Sequence, residues 1–342
     1  MTQRRISLLT ATLFVLVTAG PLAAQSGTQL LPRPGESNTR VGSRGANFLS
    51  IGVGARALAM GNAYAALADG ADALYWNPAG IASNPRFTAI VSYNDMFGDF
   101  GLDHIYGGVT VPAGEGAFGL SLTSFQSGDM QRTTEDFPEG GDPLFGDTFE
   151  WTDLAVALSY ARQITDRLNV GLSVKYVQSG ISEATANFFG GDAGIQFRTG
   201  LLGTTVAASL LNLGTSGEYE GALVRQFVTS GQELFPTDRT IAINLDTRDW
   251  DMPTTFTFSV LWDLVGSPEA LLTPNPDHRL LMLTDATDAI DTSVMGRVGL
   301  EYSYRELFFV RGGKFFMNED NASGFRDFAH GLTGGLGVAI PL

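Results

Sequence analysis

Stretches of about ten residues in which every second side chain is apolar, and the ones between are small or polar, set the tightest limit on this fold. Leu168, Val170, Leu172, Val174 and Tyr176 alternate with Asn169, Gly171, Ser173 and Lys175. Leu154, Val156, Leu158 and Tyr160 alternate with Ala155, Ala157 and Ser159. The same dyad runs through 87–93, 255–262, 298–304 and 331–340, and more weakly through 104–112, 116–126, 188–198, 203–212, 238–247, 278–286 and 306–315. A period of two is the signature of strands with two unlike faces. No charge falls on the apolar faces of the clearest segments; Lys175 and Glu301 both fall on the other face. Tyr93, Tyr160, Tyr176, Trp262 and Tyr304 stand at segment ends, where an interfacial aromatic belt belongs. A soluble sandwich alternates too, but its polar face is rich in Lys, Glu and Thr. Here that face is mostly Gly, Ala and Ser, which suits a confined lumen. The expected fold is therefore all-β: a transmembrane antiparallel barrel of about 14 strands.

Composition agrees with that reading. Gly supplies 42 of 342 residues and charged residues only 17%, against about 25% in typical soluble domains. The formal net charge of −15 argues against a nucleic-acid partner, which needs clustered Lys and Arg. Cysteine is absent, so thiolate chemistry and Cys-based metal sites are excluded. Arg4 and Arg5, the apolar run 6–19, and Leu22-Ala23-Ala24, which ends in small residues, form the pattern of a cleavable secretory leader. Three regions are expected: a signal peptide over 1–24, an N-terminal extension and plug over 25–85, and the barrel over 86–342. The destination is an outer membrane, and membrane lipid is the first expected partner. Long connections are read at about 127–151, 214–237, 265–277 and 316–328, with short turns between most other strands. If 238–247 is a membrane strand, the later segments fall out of phase unless one more strand is hidden.

Residues 42–85 are dense in Ala and Gly and do not alternate. Asp69 or Asp72 opens a short helix through Trp76, which Asn77-Pro78 ends. Small residues let backbone pack closely, so this stretch is expected inside the lumen, with a cap beneath the barrel as the alternative. Gly52-Val-Gly-Ala-Arg-Ala-Leu-Ala-Met-Gly61 and Ala73-Leu-Tyr-Trp-Asn-Pro-Ala-Gly80 resemble the N-terminal signature of the PorV/PorQ family, outer-membrane barrels related to FadL-like hydrocarbon transporters. The residues carrying the resemblance are Gly52, Gly54, Ala55, Arg56, Met60, Gly61, Asn77, Pro78, Ala79 and Gly80. The resemblance implies a 14-stranded, FadL-like barrel with an N-terminal plug, and a link to type IX protein secretion or surface attachment.

Motifs for chemistry are missing. The pairs Asp103-His104 and Asp277-His278 are strand neighbours pointing to opposite faces, and no nucleophile elbow, phosphate loop or metalloprotease helix motif occurs. No enzymatic activity, cofactor or metal is expected. Asp129, Glu135, Asp136, Glu139, Asp142, Asp147 and Glu150 make the long connection after segment 116–126 acidic. It is a candidate docking loop for a partner, or simply a solvated one. Two functions follow. The first is a non-enzymatic secretion component that binds machinery proteins or cargo at its loops and rim, as the resemblance implies. The alternative is a FadL-like channel for hydrophobic small molecules, with an apolar pocket near the outer mouth and a lateral gap at Gly312-Gly313 or Gly334-Gly335.

Overall fold

The computed structural model describes residues 42–84, 86–98, 101–133, 137–141, 143, 146–230, 239–245, 247–290, 294–317 and 331–340. The expected leader 1–24 and most of the extension lie outside the described residues. Twelve long strands form one antiparallel path: β1 (Thr88–Met96), β2 (Leu102–Ala113), β3 (Gly116–Gln126), β4 (Trp151–Thr165), β5 (Leu168–Ile181), β6 (Ala184–Arg198), β7 (Thr204–Gly214), β8 (Thr255–Gly266), β9 (His278–Ala289), β10 (Met295–Tyr304), β11 (Phe308–Met317) and β12 (Leu332–Val338). Two-residue strands Glu220–Gly221 and Thr273–Pro274 attach to β6 and β8, giving a sheet of 14 strands. The chain is thus a transmembrane antiparallel β-barrel.

The alternation predicts the faces. On β5, Val174 is 65% exposed while Ser173 beside it is 5% exposed. Leu158, Leu172, Phe256, Phe258, Leu300 and Val310 are likewise exposed, and Ala157, Ser159, Ser259 and Ser303 are buried. An exposed apolar belt on every wall strand but β9 is a surface that only hydrocarbon covers well. Aromatic pairs gather toward both rims. Phe118 and Tyr160 lie 4.8 Å apart at the turn end, and Tyr176 and Phe189 lie 5.2 Å apart nearer the loop end. No helix among the described residues is long and apolar enough to cross a membrane, and the strands do the crossing.

Both ends of the path, the start of β1 and the end of β12, fall on the short-turn side. The segment 238–247 is not part of the wall. Arg239–Asn244 pairs with Arg225–Ser230 as a separate hairpin on the loop side, and β7 pairs directly with β8. Strand parity is thereby restored without a hidden strand. The connection 267–277 lies on the turn side despite its length. It folds back on the rim, where Leu271 and Leu272 donate their amides to Asp263 and Leu264 at 2.9 Å each.

Residues 42–84 pass through the lumen from the loop end to the turn end. Gly45 donates to Asp251 beyond the top of β7, while Ser83 lies against Gln196 and Asn169 near the turns. The segment contains α1 (Ala55–Ala59), α2 (Ala73–Trp76) and single 3-10 turns at Asn47–Ser50, Gly70–Asp72 and Pro78–Ser83. Asn77 ends α2 as the Asn-Pro pair predicts: extended at φ −164°, it caps the next turn by accepting from Ala79 N at 3.1 Å. Among the described residues no ladder joins β1 to β12. Instead α1 reaches both: the Gly54 amide donates to Ser92 Oγ on β1 at 3.1 Å, and Thr333 Oγ1 on β12 donates to Ala59 O at 3.0 Å.

Placing Lys on the lipid face should cost about 2–4 kcal/mol near the bilayer midplane. Val174→Lys is therefore expected to lower unfolding stability by about that amount in urea titrations of the barrel in lipid vesicles. Unchanged stability would mean that this face meets water.

Candidate functional site

The lumen and the segment that fills it form the candidate site. Contact between them is made through glycines on the inner wall. A Cβ at Gly313 would run into the backbone of Met60 and Gly61, and one at Gly299 would come within 2.8 Å of Met60. At Gly335 it would lie 2.6 Å from Ala59 Cβ. Across the lumen, Gly171 receives Pro78, Gly194 receives Asn77, and Gly108 and Gly119 receive Leu74. The small inward face expected of a filled lumen is thus a set of seats. Gly61 itself has φ +65° and packs against the Lys314 backbone, a position that excludes any side chain. Gly312 and Gly334 face each other in a regular ladder, as do Gly299 and Gly313. The ladders between β10, β11 and β12 therefore run unbroken through these glycines, while the other edge of β12 has no ladder partner among the described residues.

Polar side chains of the wall bond the plug backbone between those seats. Asp285 Oδ2 accepts from Tyr64 N at 3.0 Å, Ser259 Oγ from Ala66 N at 3.1 Å, and Thr88 Oγ1 from Ala71 N at 2.8 Å. Gln196 Nε2 donates to Ala66 O at 2.8 Å. Asn77, fully buried, donates to Ala65 O at 3.2 Å and to Ile195 O of β6 at 3.1 Å.

One ionic cluster ties α1 to the wall. Arg56 meets Glu301 of β10 with two hydrogen bonds, Nη2 to Oε1 at 2.7 Å and Nε to Oε2 at 2.8 Å. Arg311 of β11 donates from Nε to Glu301 Oε2 at 2.5 Å. Glu301 is almost wholly buried, so its charge has these two guanidiniums in place of water. On the opposite wall Lys175 pairs with Asp192 at 2.8 Å. Sequence reasoning put Lys175 and Glu301 on the inner face and singled out Arg56. It missed Arg311 and the pairing, because the partners are 245 residues apart for Arg56 and Glu301.

The ten motif residues are therefore all placed in the lumen segment. Gly52 offers its carbonyl to Asn94 Nδ2 at 3.1 Å, Ala55 opens α1, Met60, Pro78, Ala79 and Gly80 are buried, and the remainder make the contacts given above. Asp129, Glu139, Asp147 and Glu150 are exposed, and Glu135, Asp136 and Asp142 lie outside the described residues. No group of three metal-ligating side chains occurs among the described residues. His104 points inward beside Asn94, while Asp103 accepts from Tyr93 at 2.6 Å on the outer face, so the adjacent pair forms no dyad.

Two cavities lie between plug and wall in the loop-side half of the lumen, of about 30 and 90 Å³. Leu49, Tyr75, Leu211 and Asn212 border both. Tyr75 stands edge-on to Trp76 and Tyr106, with ring centres 4.9 and 5.9 Å away. The lining mixes aromatic and aliphatic groups with hydroxyls, where the sequence reading expected an apolar pocket at the outer mouth. The residues from Ser259, Asp285, Glu301 and Lys175 had already claimed the inner face for polar groups that bond the plug.

These features define a plugged transmembrane β-barrel with a small internal chamber. No protein-family model and no curated protein sequence matches the chain. Among solved structures it is similar to the toluene transporter TbuX of Ralstonia pickettii, at 16% identity and a TM-score of 0.48, over 85% of this chain and 90% of that one. It is similar to the toluene transporter TodX of Pseudomonas putida at 14% identity and 0.48, over 78% and 83%. A FadL homologue of Pseudomonas aeruginosa matches at 12% identity and 0.44, over 81% and 82%.

Removing the shared carboxylate should leave Arg56 and Arg311 facing each other without the group that both bond. Glu301→Ala is expected to cost about 3–5 kcal/mol, read as a lower thermal midpoint in detergent, and to raise single-channel conductance in planar bilayers as the plug loosens. An unaltered midpoint would remove the cluster from the account.

Proposed function

We propose that the protein is a non-enzymatic outer-membrane channel of the FadL-like type, through which small hydrophobic molecules pass a lumen occupied by residues 42–84. The observation that carries this reading is the chamber beside Tyr75 and Trp76. It lies between the strands of the wall and the segment packed against them. A barrel built solely as a mount for partners has no need of an internal aromatic-lined space. Export through the leader over 1–24 and residence in the outer membrane belong to the same proposal.

The secretion reading draws on the PorV/PorQ-like motif. Every residue of that motif is spent on seating the segment 42–84 inside the lumen. The resemblance therefore speaks for shared plug packing, and a role in type IX secretion has support only from the exposed acidic loop and the loop-side hairpin. Among the described residues neither carries a feature specific to a protein partner.

Uptake of radiolabelled toluene separates the two. Cells producing the barrel are expected to take it up several-fold faster than cells lacking it. Equal rates, together with co-purification of a secretion component or cargo, would reverse the order of the readings.

A further inference from the structure

A larger cavity, of about 250 Å³, lies in the turn-side rim, and no residue of the lumen segment borders it. It sits between the end of β8, the start of β9 and the β10–β11 turn, with Ser267, Asp277, His278, Arg279, Ser303 and Glu306 on its walls. A void of about 150 Å³ accepts one benzene in an engineered protein core, so this one has room for a small solute. His278 pairs with Tyr304 across the β9–β10 ladder and shares its outer face, with Nδ1 2.7 Å from the Tyr302 hydroxyl. Arg279 pairs with the buried Ser303 on the inner face. The cavity therefore belongs to the rim itself, where the lipid face meets the turn-side mouth.

Groups of both signs border it with bonding capacity to spare. Arg279 Nη1 donates to Glu306 Oε1 at 3.3 Å, and its buried Nε lies 3.4 Å from Asp263 Oδ2 without a hydrogen bond. A guanidinium has five N–H donors, and among the described residues this one has no other partner. Donors are therefore left for an oxyanion. Asp277 accepts from Arg305 Nε on Oδ1 at 2.8 Å, and Glu306 is engaged through Oε1. Each of these carboxylates has its other oxygen open to a cation. Two arginines, Arg279 and Arg305, stand against three carboxylates, Asp263, Asp277 and Glu306, a surplus of one negative charge. An anion alone is repelled by that surplus, and a cation alone leaves Arg279 short of acceptors. A molecule carrying both signs satisfies both.

We propose that the rim cavity binds a small zwitterion joining an ammonium to a phosphate, the chemistry of phosphoethanolamine, with the phosphate on Arg279 and the ammonium on Asp277 and Glu306. A lipid headgroup and a free solute both offer that chemistry. The headgroup is the favoured source, because the exposed rings of Tyr302 and Tyr304 pack beside His278 and carry the lipid-facing belt to the lip of the cavity. The inference stands apart from the channel reading, since the cavity and the lumen segment share no residue.

The test titrates the purified full-length barrel calorimetrically in a maltoside detergent, which carries neither charge. The probes are glycerophosphoethanolamine, inorganic phosphate and ethanolamine. One added charge-assisted contact predicts that the first binds about tenfold more tightly than either of the others. Glu306→Gln, at an exposed position, is expected to bring the ratio between glycerophosphoethanolamine and phosphate close to one with an unchanged thermal midpoint. Ser267→Trp, which fills the cavity, should abolish binding. Adding phosphatidylethanolamine or phosphatidylglycerol to the micelles separates the sources. Apparent affinity for glycerophosphoethanolamine that falls with the first lipid alone assigns the site to the headgroup, and affinity unchanged by both assigns it to the free solute. Phosphate binding as tightly as glycerophosphoethanolamine to the unsubstituted barrel would overturn the zwitterion, as would phosphatidylglycerol competing as well as phosphatidylethanolamine. Binding that survives Ser267→Trp would place the ligand elsewhere and overturn the site. Absence of glycerophosphoethanolamine binding in the lipid-free detergent also overturns it, and leaves the channel reading to the uptake assay.

Discussion

The segment inside this barrel has too little regular structure to satisfy its own backbone. Its helices are one turn or so long, at Ala55–Ala59 and Ala73–Trp76, so many amides and carbonyls between them need partners elsewhere, and buried backbone groups are almost never left without any. The wall supplies those partners. Ser92, Asp285, Ser259 and Thr88 accept from plug amides, and Thr333 and Gln196 donate to plug carbonyls. Side chains that short reach a backbone only if the two chains lie close together. Gly171, Gly194, Gly299, Gly313 and Gly335 make that approach possible by presenting no Cβ. The inner face of the barrel is therefore a template for one particular segment, made of glycine seats and short polar arms.

That arrangement explains what was readable in the sequence. A period of two survives in the primary structure because lipid outside and confined space inside impose opposite demands on adjacent residues. The twelve wall strands are all prefigured by alternating segments, and the Ala- and Gly-dense stretch before them by its failure to alternate. Arg239–Asn244 looked like a wall strand because a loop hairpin alternates as well; only its pairing with Arg225–Ser230 removes it from the wall. Gly312-Gly313 and Gly334-Gly335 were legible as unusual, yet composition cannot tell a gap from a seat. The difference is made by Met60 and Ala59, which are more than 250 positions away in the chain.

The charge cluster follows the same logic. A buried charge on an inner strand must have a partner, so Glu301 on the inner face announces a counter-charge without naming it. Arg56 and Arg311 answer it from the plug and from the neighbouring strand. The plug is thereby joined to β10 and β11 by an interaction that is strong when complete and costly when broken. Further along the segment, by contrast, packing is looser and Tyr75 borders two cavities. The site and the tightest anchor thus lie on different stretches of the same filling segment, which allows a ligand to bind without contesting the ion pairs.

Everything in this account requires residues 42–84 to lie within the barrel and against these strands. Because the chain contains no cysteine, a pair can be introduced without background. Ala59→Cys with Gly335→Cys joins α1 to β12, where the added Cβ lies 2.6 Å from Ala59 Cβ and needs only a small shift to suit a disulfide. Ala59→Cys with Gly171→Cys, on the wall that faces Pro78, is the control. The account predicts spontaneous disulfide formation in the first pair and none in the second, read by mobility on non-reducing gels of membranes prepared without added oxidant. Free thiols in the first pair, both open to a membrane-impermeant maleimide, would place the segment outside the lumen and contradict it.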